Sequence, residues 1–196
     1  MQIGKAGPTT ILTLFLVWVA TAAAQAQAAR PIPAGTAAQG ILSFDGHASA
    51  GDFTGTTSTL TGEMTGSAAL DAVRGWVEAP VATLKTGNDR RDRDLNKSME
   101  TEKYPTMRFD LDSVAAGGAG DSVPVTLKGR LTLHGVTRPV ELPGYVVLGT
   151  DQARIHSDFP VNLKDYGIGG LTKLMGMLRM YEDIKVHVDV TFRSAQ

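Results

Sequence analysis

The residue types that could carry out chemistry are few and widely spaced. His156, Ser157 and Asp158 are the three residue types of a hydrolase triad, but they are consecutive in the chain. Consecutive strand residues point to opposite faces, whereas triad members must converge from separated positions. We therefore interpret them as polar residues at the start of a strand. Because G-x-S-x-G, H-E-x-x-H and P-loop motifs are also missing, we expect no catalytic residues. An esterase or isomerase would need a converging acid–base pair that the sequence does not display.

A metal site is not expected either. The chain has no cysteine and four histidines, His47, His134, His156 and His187, which lie far apart in the sequence. A site would have to gather its ligands from distant strands. His187 lies on the polar side of an alternating run, and His134-Gly135 is typical of a hairpin turn in which glycine supplies a positive φ. The sequence therefore predicts neither a metal nor a cofactor.

The first 28 residues are typical of a secretory signal peptide. Lys5 is followed by an apolar stretch, Ile11–Ala20, and then by small residues through Ala28 that offer A-x-A cleavage sites. The apolar stretch is about half the roughly twenty residues that a bilayer span needs, although a retained membrane anchor is the alternative. We expect a periplasmic or secreted protein without a stable membrane anchor, whose mature chain starts between Gln25 and Ala29.

Composition limits what the mature chain can be. The whole chain has 19 Lys and Arg and 20 Asp and Glu, so removal of a leader containing Lys5 leaves 18 and 20, a net charge of −2. This balance disfavours a nucleic-acid partner, which needs a basic excess on one face. Roughly 170 residues is the usual size of one domain. We divide the chain into a signal peptide (1–28), a flexible linker (29–39) and one domain (40–196).

Short runs of alternating apolar and polar residues recur after Gly40 and predict β-strands. Alternation is strict over Ile184–Phe192, which indicates a half-buried strand. The segment Gly51–Ser67 is rich in Thr, Gly and Ser and gives the weakest strand signal. About eight strands predict an all-β fold, either a closed barrel or a sandwich. The other runs are Val73–Leu84, Met107–Leu111, Val123–Leu133, Val136–Leu148 and Phe159–Leu163. Pro80, Pro139 and Pro143 must lie at edges, bulges or strand ends, because proline cannot donate to the ladder.

Two segments are predicted to be helical instead. Asp89–Glu102 has a helix start at Asn88 or Asp89, opposite charges four residues apart and a stop before Pro105. Leu171–Met180 places leucines and methionines at helical spacing. Because methionine is flexible and adapts to variable shapes, this second helix could be a mobile flap over one end of the barrel. A fixed core helix is equally compatible with the sequence.

Four stretches resemble the YceI-like proteins, a family of secreted bacterial polyisoprenoid-binding proteins. The resemblance covers roughly Val73 to Phe192 and implies an extended lipocalin-like antiparallel β-barrel of about eight strands with one or two short helices. It also implies a long isoprenoid chain in the apolar interior and no established catalytic residues. The four stretches are Thr86–Leu95 (family pattern T-G-N-x-x-R-D and a helix), Lys103–Phe109 (K-Y-P-x-x-x-F), Gly129–Val140 (G-x-L-T-[LI]-x-G-x-T-x-P-V) and Lys164–Gly167 (R/K-D-F/Y-G).

These inferences combine into a hypothesis of non-catalytic binding of a polyisoprenoid lipid or an isoprenoid quinone; the protein could also form a homodimer. Gly129, inside an inward-facing series, would leave room for the ligand, although a strand bend explains it equally well. Every lining residue is also compatible with an ordinary core. The alternative is therefore a stress-response or interaction domain whose barrel is filled by its own side chains. The expected ligand-binding residues are Trp76, Phe109, Leu111, Leu127, Gly129, Leu131, Val161, Met175, Met177, Val186, Val188 and Val190.

Overall fold

A closed antiparallel β-barrel forms most of the computed structural model, which describes residues 32–49, 51–118, 120, 122–169, 172–173 and 178–194. The predicted signal peptide, Leu171, Met175 and Met177 lie outside the described residues. The described strands are β1 (Gly35–Gly46), β2 (Phe53–Thr57), β3 (Thr61–Met64), β4 (Gly75–Pro80), β5 (Thr106–Ala116), β6 (Ser122–Leu133), β7 (Val136–Leu148), β8 (Gln152–Asn162), β9 (Thr172–Lys173), β10 (Leu178–Arg179) and β11 (Asp183–Arg193).

Eight strands close the barrel in the order β11-β8-β7-β6-β5-β4-β3-β1, and β1 pairs with β11 to complete the ring. β2 continues the line of β3 along β1, because Leu42 lies opposite Thr57 and Gly35 opposite Met64 in one unbroken register. The two short strands are thus halves of one strand interrupted at residues 58–60. The prediction of an all-β barrel is confirmed.

The start of the domain differs from the prediction. Gly35–Gln39 was assigned to the flexible linker, but these residues are the first part of β1. Thr36 lies opposite Arg193 of β11, and Ile32 forms a bridge with Ser67 before β1 begins. Pairing with strands distant in sequence orders this segment, and a run of small residues without apolar alternation gives no local sign of such pairing.

The prolines lie where a missing backbone donor is tolerated. β7 pairs with β6 along its whole length but with β8 only over Gly144–Leu148. Pro139 and Pro143 lie in the other part of β7, and Pro80 ends β4. The prediction that these prolines lie at edges or strand ends is therefore confirmed.

The one α-helix among the described residues, α1 (Asp89–Ser98), begins as predicted and ends earlier. The Asn88 side chain accepts hydrogen bonds from the backbone N–H groups of Arg90 and Arg91, at 3.0 and 3.1 Å, and so caps the helix. Glu100 adopts a positive φ of 44° and turns the chain away from the helix axis. The predicted end at Glu102 was wrong because this turn, rather than the more distant Pro105, stops the helix.

The second predicted helix is wrong in its described part. Within Leu171–Met180, β9 and β10 pair as an antiparallel hairpin, with Lys173 opposite Leu178 and Thr172 opposite Arg179. Apolar spacing in so short a segment does not separate a helix from a hairpin, because both can gather alternate apolar residues on one side. Neither α1 nor the short 3-10 turns of the described ranges are long and apolar enough to cross a membrane.

Candidate ligand-binding cavity

An apolar cavity of about 160 Å³ lies inside the barrel. A cavity needs a volume of roughly 10–15 Å³ to hold one water molecule, so this cavity is more than ten times as large. Along β11 the lining runs from Ile184 to Phe192, nine residues whose eight steps span about 27 Å of strand. The cavity is therefore long and narrow, as a chain-like ligand would require.

The two ends of the barrel are built differently. At the end that carries the start of β6, buried residues that do not line the cavity fill the interior; they are Val73, Val114, Val123, Val125, Val146 and Ala153. At the opposite end α1 contributes Leu95 and Met99 to the lining, and the segment after β8 contributes Leu163 and Ile168. One end is thus a packed floor, and the other is covered by a helix and a loop.

Most of the predicted site residues lie on the cavity wall. Within the described ranges the polar residues that border the cavity are Glu63, Ser98, Arg108 and Ser157, of which Glu63 and Arg108 occupy outward-facing strand positions. The Ser157 hydroxyl already donates to the Pro143 carbonyl at 2.8 Å. A ligand in this space would therefore be held mainly by apolar contact. The predicted residues on the wall are Phe109, Leu111, Leu127, Leu131, Val161, Val186, Val188 and Val190.

Trp76 borders the cavity, but its ring lies elsewhere. Its cross-strand neighbours are Glu63 and Asp110, on the outward face of the sheet. The Arg108 guanidinium lies 4.3 Å from the indole centroid and forms an ion pair with Asp110 at 2.8 Å. We infer from this pleat position that the backbone of Trp76, rather than its indole, faces the lumen.

Gly129 does not line the cavity as predicted. A Cβ at this position would lie 2.1 Å from the Asp110 carbonyl oxygen and 2.7 Å from Cζ of Phe109. The Phe109 ring therefore occupies the space that the missing side chain leaves, and the glycine allows β5 and β6 to approach closely. The expectation of free room at Gly129 was wrong because sequence does not reveal a ring from the neighbouring strand.

Several lining residues were missed from the sequence. Leu42 and Phe44 come from β1, where the Gly-rich surroundings obscure the alternation. Leu95 lies on α1 and Met99 caps its end one turn later, and that spacing was a detectable sign of a contact stripe toward the barrel.

The polar residues of the outer surface do not form a triad. His156 and Asp158 lie outside the barrel, whereas Ser157 points inward. His187 Nδ1 lies 2.7 Å from Asp158, and its Nε2 lies 3.1 Å from Asp45. Hydrogen bonds to Asp158 and then Asp45 raise the pKa of His187 above its ordinary value. The described ranges contain no group of three or more acidic or histidine side chains arranged to hold a metal ion.

Comparison with known proteins places this barrel in a family. Residues 35–192 match the profile of the YceI-like domain. The chain belongs to the YceI-like family. A UPF0312 protein from Pseudomonas putida is 31% identical over 112 residues, 53% of this chain and 57% of that protein. A UPF0312 protein from Shewanella denitrificans is 29% identical over 119 residues, 54% and 61% of the two chains. The chain thus spans less than two thirds of the length of these relatives.

Solved structures share the YceI-like fold. BcnA from Burkholderia cenocepacia superposes with a TM-score of 0.66 at 14% identity, covering 78% of this chain and 95% of that one. A polyisoprenoid binding domain from Saccharophagus degradans gives 0.66 at 14% identity, covering 84% and 99%. The YCEI protein of Campylobacter jejuni gives 0.58 at 18% identity, covering 72% and 85%. At these identities the similarity concerns the architecture.

Three of the YceI-like sequence stretches meet at the covered end of the barrel. The rings of Tyr104 and His134 lie 4.5 Å apart, and a Cβ at Gly135 would lie 2.4 Å from the Tyr104 ring. His134 Nδ1 donates to the Tyr166 carbonyl oxygen at 3.2 Å. His134 and Gly135 have positive φ angles of 52° and 73°, which confirms the predicted hairpin turn. These contacts join three motif stretches around the buried Tyr166, and they thereby close this end of the barrel.

The fourth stretch anchors α1 to the barrel. The Asp92 carboxylate is buried and accepts hydrogen bonds from the Thr86 hydroxyl at 2.7 Å and from its backbone N–H at 2.9 Å. These bonds hold the pKa of Asp92 below its ordinary value. Arg91 donates from Nε to the Thr86 hydroxyl, and its guanidinium lies 4.4 Å from the centroid of the Phe53 ring on β2. The YceI-like helix is thereby held over the cavity.

Proposed function

We propose that this protein binds a polyisoprenoid lipid or an isoprenoid quinone inside its barrel, without catalysis and outside the cytoplasm. The observation that carries the proposal is the cavity itself, which is long and apolar, with packed side chains at one end and the cover of α1 and the segment after β8 at the other. A barrel filled by its own side chains would leave no space of this size. The cavity therefore favours binding over the alternative of a self-filled interaction domain.

Apolar area sets the expected affinity. Burial of a CH₂-sized group contributes about 0.8 kcal/mol, so each five-carbon isoprene unit contributes at most about 4 kcal/mol before the cost of ordering the chain. Affinity should rise with chain length until the cavity is full. Head-group preference should be loose, because few polar side chains reach the lining.

Two further observations support the proposal. The Saccharophagus degradans protein that shares this architecture is described as a polyisoprenoid binding domain. The basic, apolar and small-residue order of the first 28 residues supports export. An exported barrel with an apolar lumen suits a carrier of lipids that water does not dissolve.

The proposal predicts that prenols of increasing length displace a fluorescent hydrophobic dye from the mature protein with increasing affinity. Val188→Phe should weaken prenol binding by at least roughly tenfold, since a misplaced group of this size in an apolar site costs that much. The barrel should remain folded, because Val188 faces the lumen. Val147→Phe is the matched control, since Val147 is 37% exposed on the outer surface. Failure of every prenol to compete, or equal binding by both variants, would overturn the proposal.

A further inference from the structure

Two phenylalanine rings of the cavity wall lie directly against glycines of the neighbouring strand. Phe44 of β1 pairs with Gly55 of β2, and a Cβ at Gly55 would lie 2.2, 2.6 and 3.1 Å from atoms of the Phe44 ring. Phe109 of β5 pairs with Leu131, but its ring also reaches Gly129 of β6, where a Cβ would lie 2.7 and 2.9 Å from ring atoms. Both rings line the cavity, and Phe44 is only 5% exposed.

A ring that lies on a glycine is directed along the wall instead of into the lumen. The pair on β1 and β2 and the pair on β5 and β6 are separated by other strands in both directions around the barrel. They therefore widen the lumen from two sides. Any side chain at residue 55 would occupy the position of the Phe44 ring and push that ring toward the centre of the cavity.

We infer that Gly55 determines which class of apolar chain the cavity accepts, by setting the position of Phe44. The inference rests on the proposed function and deepens it. An isoprenoid chain carries a methyl branch on every fourth carbon and is thicker than a straight acyl chain. Where the Phe44 and Phe109 rings lie back on glycines, the methyl branches fill the added space, whereas a straight chain leaves gaps that forfeit contact with the wall. Gly55 thus favours branched chains over straight ones.

Gly55 is a cleaner position for a test than Gly129. The three atoms nearest to a Cβ at Gly55 all belong to the Phe44 ring, so an alanine methyl meets a side chain first. At Gly129 the nearest atom is the Asp110 carbonyl oxygen at 2.1 Å, so the same change would force two strands apart. Gly118→Ala is the matched control, because Gly118 is exposed and its Cβ would meet Pro124 at 3.8 Å, an ordinary contact.

The test compares dissociation constants for a prenol and a straight-chain alcohol with the same number of carbons. Gly55→Ala should shift the ratio of the two constants against the prenol by at least roughly tenfold, the discrimination typical of one misplaced methyl-sized group. Gly55→Ala combined with Phe44→Leu should restore the wild-type ratio, because leucine leaves room for the new methyl. Phe44→Leu alone should shift the ratio toward the prenol, and Gly118→Ala should leave it unchanged.

An unchanged ratio in Gly55→Ala, an equal loss of both ligands, or no recovery in the double variant would overturn the inference. If Gly55→Ala does not fold, the ratio measured with Phe44→Leu alone tests the inference, because this variant keeps Gly55 and removes only the ring. A shift toward the prenol would then support the inference, and an unchanged ratio would overturn it. Failure of the proposed function is a separate result, since wild-type protein would then bind neither alcohol.

Discussion

At the scale of single residues, His187 links the strands that close the barrel. It lies on β11 between Asp158 of β8 and Asp45 of β1, the strand that completes the ring. Lys185 approaches Asp158 to 3.8 Å, and Thr54 donates to Asp45 at 2.9 Å.

A second group of charged side chains lies beside the first. His156 approaches both Asp158 and Asp189, and Arg154 forms an ion pair with Asp189. Charged and hydrogen-bonded side chains therefore link β11 to β1 and to β8, and we call this part of the outer surface the barrel seam.

The pKa shifts give the direction of the pH dependence. The pKa of His187 is raised above 6.5, so its contribution to stability is complete below 6.5 and is lost as pH rises through the folded-state value. Hydrogen bonds from Thr54 and His187 lower the pKa of Asp45 below 3.8. Burial alone would raise the pKa of Asp158, but the His187 hydrogen bond and nearby positive charges lower it overall. The carboxylate contributions are therefore present above 3.8 and are lost at lower pH.

His187→Gln should consequently lower the melting temperature most between about pH 4 and 6.5, with a smaller difference at alkaline pH. Thermal unfolding of both proteins across this range measures the effect. His47→Gln is the control, because the pair of His47 with Asp52 is exposed and lies outside the barrel seam. A difference in melting temperature between His187→Gln and wild type that is the same at every pH would show that the charged form of His187 does not strengthen the seam.

At the scale of elements, alternation was sufficient to predict β6, β11 and parts of β5 and β8, because one face of each strand is buried. The predicted runs Met107–Leu111 and Phe159–Leu163 cover only part of these two strands, and His156–Asp158 lie inside β8 rather than at a strand start. The local pattern of apolar residues did not predict secondary structure where a segment is ordered by pairing with strands distant in the sequence. Gly35–Gln39 is a strand because β11 pairs with it, and the described parts of Leu171–Met180 form a hairpin although their spacing fits a helix. The site shows the same limit. Alternation places Leu127 and Val188 on the wall, but it cannot show that Phe109 fills the space at Gly129.

The inward face of β11 can be tested by one substitution at two positions. Val188→Asp places an unpaired carboxylate in the apolar lumen and should lower the free energy of unfolding by several kcal/mol, or about the cost of burying an unsatisfied polar group. Val147→Asp makes the same change on the outer surface, opposite Arg154, and should cost little. Chemical denaturation measures both. Equal losses of stability would mean that the two faces are assigned wrongly.

At the scale of the whole molecule, the barrel combines a packed floor with a covered opposite end. Buried valines close the floor, and α1 and the segment Leu163–Ile168 cover the other end. The YceI-like motif stretches hold this cover in place through Tyr104, His134 and Asp92. These motif residues thus contribute to the architecture of the covered end, and the proposed function belongs to the space that the barrel encloses.

Organic extraction of the mature protein from its native host, followed by mass spectrometry, tests ligand binding most directly. We expect wild-type protein to release an isoprenoid lipid or quinone in an amount comparable to the protein itself. Val188→Phe, purified in parallel and still folded, should release little, because its ring occupies the lumen that Val188 lines. Wild-type protein that carries no isoprenoid, or a Val188→Phe variant that carries as much as wild type, would contradict binding inside the barrel.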